Sequence, residues 1–132
     1  MPERRPRLED KVAIVVGAGS SGPGIGNGKA TSLLFAREGA SVLLVDYASE
    51  RAKETLAMIE KEGGTASVFQ ADVTRADNCK GMAKAAIDRY GRLDILVNIV
   101  GILELHSVVD VEEEAWDRLM EVNVKSVVLA SK

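Results

Sequence analysis

The sequence predicts an α/β protein built on a doubly wound parallel sheet. Strand-like runs at 12–16, 41–45, 66–70 and 93–98 alternate with helical patterns at 25–38, 49–62, 76–90 and 112–130, which makes four βα units. Runs such as Ile14-Val15-Val16 are apolar at every position, as expected for parallel strands covered by helices on both faces. Right-handed crossovers then favour the strand order 3-2-1-4, with a ligand crevice at the carboxyl ends of the strands.

The turn between the first strand and the first helix is rich in glycine, and Asp46 ends the second strand twenty residues after Gly26. Glycine in such a turn lets a diphosphate lie against bare backbone N–H groups at a helix N-terminus. An acidic residue about twenty residues later can bind the adenosine ribose. The segment therefore predicts a Rossmann-like dinucleotide site that includes Gly17, Gly19, Ser20, Ser21, Gly24, Ile25, Gly26 and Asp46.

Two other interpretations compete with this one. The glycines could form only a flexible strand-to-helix loop, with Asp46 as a helix N-cap. Gly28-Lys29 also resembles the end of the phosphate loop G-x-x-x-x-G-K-S/T. That loop needs a glycine where Pro23 stands and a hydroxyl where Ala30 stands, so the dinucleotide site is the better interpretation.

The composition favours small-molecule chemistry. A net charge of −3, from 17 basic and 20 acidic residues, indicates neither a nucleic-acid surface nor an anionic membrane partner. Cys79 is the single cysteine, which excludes an internal disulfide and suits a reducing compartment, so we expect a cytoplasmic protein. No run reaches the roughly 18 apolar residues of a membrane span, and no metal site is predicted.

We expect a flexible arm at 1–10 and a partial Rossmann domain that binds NAD(P) at 11–132.

Motifs at four places along the chain agree with one another. After the glycine segment come Ala71-Asp72-Val73, Asn98-Ile99-Val100-Gly101 and Glu121-Val122-Asn123-Val124. Together they resemble the short-chain dehydrogenase/reductase family, from about Leu8 to the last residue. The glycine segment is similar to the family's Thr-Gly-x-x-x-Gly-x-Gly, with Val16 in place of Thr and three extra residues before Gly24-Ile25-Gly26.

The resemblance implies roles for residues after the third and fourth strands. The Asp72 carboxylate would bind the adenine amino group, and Val73 would pack on the adenine ring. Asp72 or Thr74 could also cap the helix that begins near Arg75. Asn98 and Gly101 match the first and last residues of the family's Asn-Asn-Ala-Gly, in which the Asn steadies the sheet behind the adenosine ribose.

The last predicted helix carries Trp116 and Asn123. By resemblance, Asn123 is the catalytic candidate of this chain, since the family's Asn at this point helps to hold a proton-relay water. A simpler interpretation makes Asn123 a helix-interior polar residue that bends the helix or bonds a backbone carbonyl. Trp116 is expected in the core.

Asp46 favours NAD over NADP, because a carboxylate accepts hydrogen bonds from free ribose hydroxyls and repels an extra phosphate. A basic residue directly after Asp46 would argue for NADP. Tyr47 occupies that position and is included among the cofactor-binding residues, while Arg51, one turn later, could compensate only in part.

The proton donor of the family is a Tyr followed four residues later by Lys, with an upstream Ser. Tyr47 is followed by Arg51 and Tyr90 by Asp94, so neither tyrosine fits. We therefore expect the cofactor-binding part of an oxidoreductase that transfers hydride between a nicotinamide cofactor and an alcohol or carbonyl substrate, inactive by itself. The alternative is a non-enzymatic module that binds a nucleotide or a protein partner. An open strand edge and apolar helix surface would favour a homo-oligomer.

Overall fold

A four-stranded parallel sheet in the order β3-β2-β1-β4 organises the structure and confirms the predicted fold class. The computed structural model describes residues 4–132. A π-helical turn, Glu121–Lys125, joins the last two helices. The strands are β1 (Val12–Val16), β2 (Ser41–Asp46), β3 (Thr65–Gln70) and β4 (Ile95–Asn98), and the helices are α1 (Asn27–Arg37), α2 (Ser49–Lys61), α3 (Ala76–Tyr90), α4 (Glu113–Met120) and α5 (Ser126–Ser131).

Helices cover the sheet on both faces, which explains why its central strands are apolar throughout. On β1, Ile14 packs with Met82 of α3 in one core cluster, whereas Val15 packs with Leu33 of α1 and Ile59 of α2 in the other. All five residues are at most 4% exposed. Alternation along a strand sends successive side chains to opposite faces, so each face of β1 needs apolar residues.

β4 begins two residues later than predicted. At Asp94 the side-chain carboxylate accepts the hydrogen bond from β1 that a backbone carbonyl would accept in a regular strand. The Asp94 carboxylate accepts the Val12 N–H at 2.9 Å, while the Asp94 N–H donates to the Val12 carbonyl at 3.0 Å. Arg92 donates two hydrogen bonds to the same carboxylate. The Arg92 hydrogen bonds, followed by that from Val12, hold the pKa of Asp94 below its ordinary value.

The N-terminal segment contacts the end of α1 through Glu38. The Glu38 carboxylate accepts hydrogen bonds from the Arg4 guanidinium at 3.1 Å and from the Arg7 N–H at 2.9 Å, and the latter lowers the pKa of Glu38. The Leu8 N–H donates to the Glu38 carbonyl at 2.8 Å. Of the expected flexible arm at 1–10, residues 1–3 lie outside the described residues, and its mobility stays a prediction.

The expectation that Trp116 lies in the core is wrong for this chain, since 54% of Trp116 is exposed. None of the residues of α4 or of the π-helical turn is buried. We call the surface formed by the exposed apolar residues of this region the C-terminal apolar face. It consists of Trp116, Met120, Val124, Val127 and Val128.

Candidate functional site

The carboxyl ends of all four strands meet at one edge of the sheet, where two connected spaces open. The pairing of Val16 with Val45 and Asn98, and of Asp46 with Gln70, sets the ends of the strands level. The glycine groove, of about 310 Å³, lies beside the turn after β1, and is lined by Gly17, Gly19, Ser20, Ser21, Gly26, Asn27, Gly28, Asp46, Tyr47, Arg51, Ile99, Val100 and Gly101.

The second space lies between the turn after β3 and the π-helical turn. We call it the aspartate cleft, because Asp46 and Asp72 both line it. Its volume is about 440 Å³. The other lining residues are Val16, Tyr47, Ala71, Val73, Thr74, Val100, Arg118, Glu121 and Val122.

Close packing explains two of the glycines that line the groove. Gly17 has a φ of +87°, and a Cβ atom there would lie 3.2 Å from the backbone of Ile99 and Val100. A Cβ atom on Gly19 would lie 2.3 Å from Cβ of Arg51. Side chains at either position would fill the groove or displace its walls, so glycine keeps the backbone of this turn accessible.

Gly28 makes the tightest contact of the glycine segment. A Cβ atom on Gly28 would lie 1.6 Å from the carbonyl oxygen of Gly17, so the first turn of α1 rests directly on the end of β1. The motif comparison assigns the family's last two glycines to Gly24 and Gly26. Gly26 is the N-cap of α1, whereas Gly24 and Ile25 do not line the groove and have exposed surfaces. The geometry therefore favours Gly26 and Gly28 as that pair, with five extra residues in the loop before them.

Ser20 closes the extended loop. Its hydroxyl oxygen accepts the Gly26 N–H at 2.8 Å, which satisfies one of the free N–H groups at the start of α1. The hydroxyl proton of Ser20 remains available to a ligand in the groove. Ser21 follows Ser20 along the same wall.

Asp46 ties the end of β2 to the glycine segment. One carboxylate oxygen accepts the Gly19 N–H at 3.0 Å, and the other accepts the Ala48 N–H at 2.9 Å. Asp46 is 9% exposed and borders both the glycine groove and the aspartate cleft. Each carboxylate oxygen has a second lone pair, so both can accept a further hydrogen bond from a ligand.

Tyr47 is exposed over 75% of its surface, and its carbonyl accepts a hydrogen bond from Gln70 at 3.1 Å. Its side chain forms an outer wall of both spaces. Arg51, on the first turn of α2, is the one basic residue among those that line the glycine groove.

The turn after β3 holds Asp72 without capping α3. Asp72 accepts hydrogen bonds from the Thr74 N–H at 3.0 Å and from the Thr74 hydroxyl at 2.6 Å. The N-cap residue of α3 is Arg75, and the side chains of Asp72 and Thr74 accept no hydrogen bond from an N–H group of α3, so neither caps that helix. Val73 is buried, as is Cys79 behind it, and burial raises the pKa of the Cys79 thiol.

Asn98 and Asn123 lie outside the linings of the two spaces. Asn98 ends β4 opposite Val16. Asn123 lies in the π-helical turn, where its Oδ1 accepts the Ile102 N–H at 2.8 Å and its Nδ2 donates to the Ile102 carbonyl at 2.9 Å. The same Oδ1 would be 3.4 Å from a Cβ atom on Gly101. Asn123 therefore bonds a backbone carbonyl, one of the roles that the simpler interpretation allowed, and in doing so holds the loop after β4.

Several residues that line the glycine groove or the aspartate cleft were not among the site residues predicted from the sequence. The position of Gly28, five residues before the apolar pair Leu33-Leu34 of α1, could have indicated it. Thr74, Val100 and Val122 carry no signal of their own, because they reach the aspartate cleft only through the packing of distant segments. Within residues 4–132, no three His, Cys, Asp or Glu side chains are grouped as metal ligands would be. The helices of the same residues include none with the length and apolar character to span a bilayer.

Comparison with known proteins identifies the family of the chain. The family model described as short chain dehydrogenase matches residues 11–132. The chain belongs to the short-chain dehydrogenase family. Among solved short-chain dehydrogenases, a putative short-chain dehydrogenase/reductase from Burkholderia xenovorans has 38% sequence identity and a TM-score of 0.91, with 95% of this chain and 49% of that chain covered.

Relatives of similar sequence include two named dehydrogenases. Cyclopentanol dehydrogenase from Comamonas sp. is 39% identical over 126 residues, which cover 96% of this chain and 48% of that protein. The 2-(S)-hydroxypropyl-CoM dehydrogenase 3 from Xanthobacter autotrophicus is 40% identical over 126 residues, with 96% and 48% covered. The chain thus spans about half the length of the curated relatives it matches.

Substitution of Gly28 by alanine should destabilise the fold. The added methyl group would meet the Gly17 carbonyl, and neither backbone segment can move without disturbing β1 or α1. We expect the free energy of unfolding to fall by at least about 2 kcal/mol. Urea denaturation followed by circular dichroism measures this change.

Gly22→Ala is the matched control, because no atom lies within 4 Å of a Cβ at that position. Its free energy of unfolding should stay within about 0.5 kcal/mol of the wild-type value. Equal stability of the two variants would contradict the close contact between Gly28 and Gly17.

Proposed function

We propose that this chain is the cofactor-binding part of an NAD-dependent oxidoreductase that transfers hydride between the nicotinamide ring and an alcohol or carbonyl substrate. The observation that carries the proposal is the position of Asp46. Its carboxylate accepts the Gly19 N–H and borders both the glycine groove and the aspartate cleft. A carboxylate at the end of the second strand, beside a glycine turn, is the group that binds the adenosine ribose in dinucleotide folds.

The residues around the groove fit a diphosphate. Gly17 and Gly19 leave the groove free of side chains, while their own N–H groups donate to the Val45 carbonyl and to Asp46. The N-terminus of α1 brings a partial positive charge to the same wall. Ser20 can donate its hydroxyl proton to a phosphate oxygen while it accepts the Gly26 N–H. In this proposal the diphosphate lies in the glycine groove, between these donors.

The aspartate cleft fits the adenosine end of the cofactor. Val73 and Val122 supply apolar surface for a purine ring, and Asp72 supplies an acceptor for its amino group. The ring would then lie between the turn after β3 and the π-helical turn. The nicotinamide end would extend past Gly101, where NAD, when bound, supplies the carbon that accepts hydride.

Charge favours NAD over NADP. The Asp46 carboxylate would face the 2′-phosphate of NADP in a largely buried position, where repulsion between like charges is weakly screened. Arg51 lies near the groove but is packed against Gly19 through its Cβ and backbone. We therefore propose NAD as the cofactor.

The catalytic serine and the Tyr-x-x-x-Lys motif of the family have no counterpart among these 132 residues. We propose that a full-length protein supplies them from the half that the relatives have in addition. Asn123 would contribute by holding the loop after β4, and its Nδ2 has a second proton with which to hold a water.

The names of the two dehydrogenase relatives support a small secondary alcohol or its ketone as the substrate class. The lone, unpaired Cys79 supports a cytoplasmic location.

Calorimetric titration tests the cofactor assignment. The wild-type chain should bind NAD at least about tenfold more tightly than NADP. Asp46→Asn should weaken NAD binding by roughly tenfold, because a charged acceptor for the ribose is lost, and should narrow the difference between the two cofactors.

Asp88→Asn is the control for charge removal, since Asp88 is exposed on α3 and pairs with Lys84 away from both spaces. Its affinities should equal those of the wild type. Equal binding of NAD and NADP by the wild type would overturn the assignment of NAD, and binding of neither would overturn the proposed function.

Self-association through the C-terminal apolar face is a second proposal. Trp116 is 54% exposed and Val128 is 62% exposed, and exposed apolar residues grouped on one surface favour an interface. Sedimentation velocity should show a dimer or larger species for the wild type. The double variant Trp116→Glu with Val128→Glu should shift the chain to a monomer.

Leu34→Glu is the control for this proposal, because Leu34 is a comparably exposed apolar residue on α1, across the sheet. It should leave the sedimentation coefficient of the wild type unchanged. A wild-type chain that sediments as a monomer at all concentrations would contradict the proposed interface.

A further inference from the structure

Asp72 is held from two directions by polar side chains that the proposed cofactor contacts do not include. Thr74 donates from its N–H and its hydroxyl to Oδ1 of Asp72, at 3.0 and 2.6 Å. Asn78, on the first turn of α3, accepts the Asp72 N–H at 2.9 Å. The Nδ2 of Asn78 donates to Asp77 at 3.3 Å, which orients the amide so that its oxygen faces Asp72.

These bonds divide the two carboxylate oxygens of Asp72 into different roles. Oδ1 is occupied by both donors of Thr74, whereas the hydrogen bonds among residues 4–132 include none to Oδ2. Asp72 is half-buried and lines the aspartate cleft, so Oδ2 is the oxygen left for a ligand there. An ionised carboxylate can only accept a hydrogen bond.

The Asp72 carboxylate and the Thr74 hydroxyl cap no N–H group of α3. Arg75 is the N-cap residue and its side chain makes no capping hydrogen bond, while the Asn78 N–H of the first turn donates to Asp77. Thr74 binds the carboxylate of Asp72, and Asn78 binds its backbone N–H. A side chain held at its carboxylate, on a backbone that is itself held, loses little freedom when it binds, and this gives its hydrogen bond discrimination between similar ligands.

We propose that Thr74 and Asn78 are positioning residues that make the aspartate cleft select a purine with a 6-amino group over a purine with a 6-oxo group. This inference rests on the proposed function, which places adenine in that cleft. The 6-amino group donates to Oδ2 of Asp72, whereas a 6-oxo group would oppose one acceptor to another. Free rotation of the carboxylate would let a second geometry form and would weaken the selection.

The test compares the affinities of NAD and nicotinamide hypoxanthine dinucleotide, which differ only at purine position 6 and its ring tautomer. The wild-type chain should bind NAD about tenfold more tightly, as expected for a hydrogen bond to a charged acceptor. Thr74→Val removes the hydroxyl and keeps the shape of the side chain, and should lower that preference to about threefold or less. Asn78→Ala should lower it in the same direction.

Two further variants separate positioning from a general loss of structure. Thr74→Ser keeps the hydroxyl and should restore the wild-type preference. Thr65→Val makes the same change at the start of β3, at the opposite end of the sheet, and should leave the preference unchanged. Circular dichroism establishes that each variant is folded before titration.

The outcomes distinguish this inference from the proposed function. Binding of NAD with the wild-type preference retained in both Thr74→Val and Asn78→Ala would overturn the positioning role alone. Equal binding of the two dinucleotides by the wild type would overturn the selection for a 6-amino group. Binding of neither dinucleotide would overturn the proposed function, and this inference with it.

Discussion

The hydrogen bond from the Gly19 N–H to the Asp46 carboxylate is the contact on which the rest of the site depends. It joins the ends of two neighbouring strands, one through bare backbone and the other through a charged side chain. A hydrogen bond to a charged group contributes about 1.5–3 kcal/mol. The bond forms only because Gly19 has no side chain, since a Cβ atom there would lie 2.3 Å from Cβ of Arg51.

The surrounding fold keeps this contact in place because α1 and α2 both contact the glycine segment. Gly28 brings α1 against the Gly17 carbonyl, and the buried Thr55 of α2 donates its hydroxyl to the Ala18 carbonyl at 2.9 Å. The glycine segment is thereby held by two helices as well as by β2. Its exposed outer part, which contains Gly24, projects away from these contacts. A loop of this length can therefore be accommodated without displacing the residues that line the groove.

The turns after β2 and β3 follow one physical plan. In each, an aspartate accepts hydrogen bonds from nearby donors, and in each it retains acceptor capacity toward the crevice. Asp46 is fixed by two backbone N–H groups, whereas Asp72 is fixed by one backbone N–H and one hydroxyl of Thr74. The carboxylates are pre-oriented before a ligand arrives, so less conformational freedom is lost on binding.

The sequence predicted the fold well where short-range patterns decide the structure. The four strands were predicted from apolar runs that include Ile14 and Val15, and the order 3-2-1-4 from right-handed crossovers between them. These residues are apolar because helices cover both faces of the sheet. The single helix predicted at 112–130 is interrupted by the π-helical turn, because Asn123 binds the peptide of Ile102, twenty-one residues away. No local pattern reports a contact of that range.

The types of residue in the candidate site could be predicted from the sequence, but which glycine takes which position in the turn could not. Asp46 was predicted from its place at the end of the second strand, twenty residues after Gly26, and Asp72 from the resemblance of Ala71-Asp72-Val73 to the family. The glycine pair was not, since Gly24, Gly26 and Gly28 are equally spaced in the sequence and only the packing of α1 on Gly17 distinguishes them. Trp116 was expected in the core, whereas burial also needs a neighbouring surface, which the described residues do not supply.

The central claim is that backbone amides between β1 and α1 bind a diphosphate beside Asp46. The most direct test is the change of backbone amide chemical shifts in a ¹⁵N-labelled chain on titration with ADP-ribose. The largest changes should fall on Ser20, Ser21, Asn27 and Gly28, which line the groove and whose N–H groups donate to no acceptor among the hydrogen bonds of residues 4–132. Smaller changes are expected at Gly19, Asp46, Asp72 and Val73. Saturable changes confined to other surfaces, with these amides unmoved, would contradict the account.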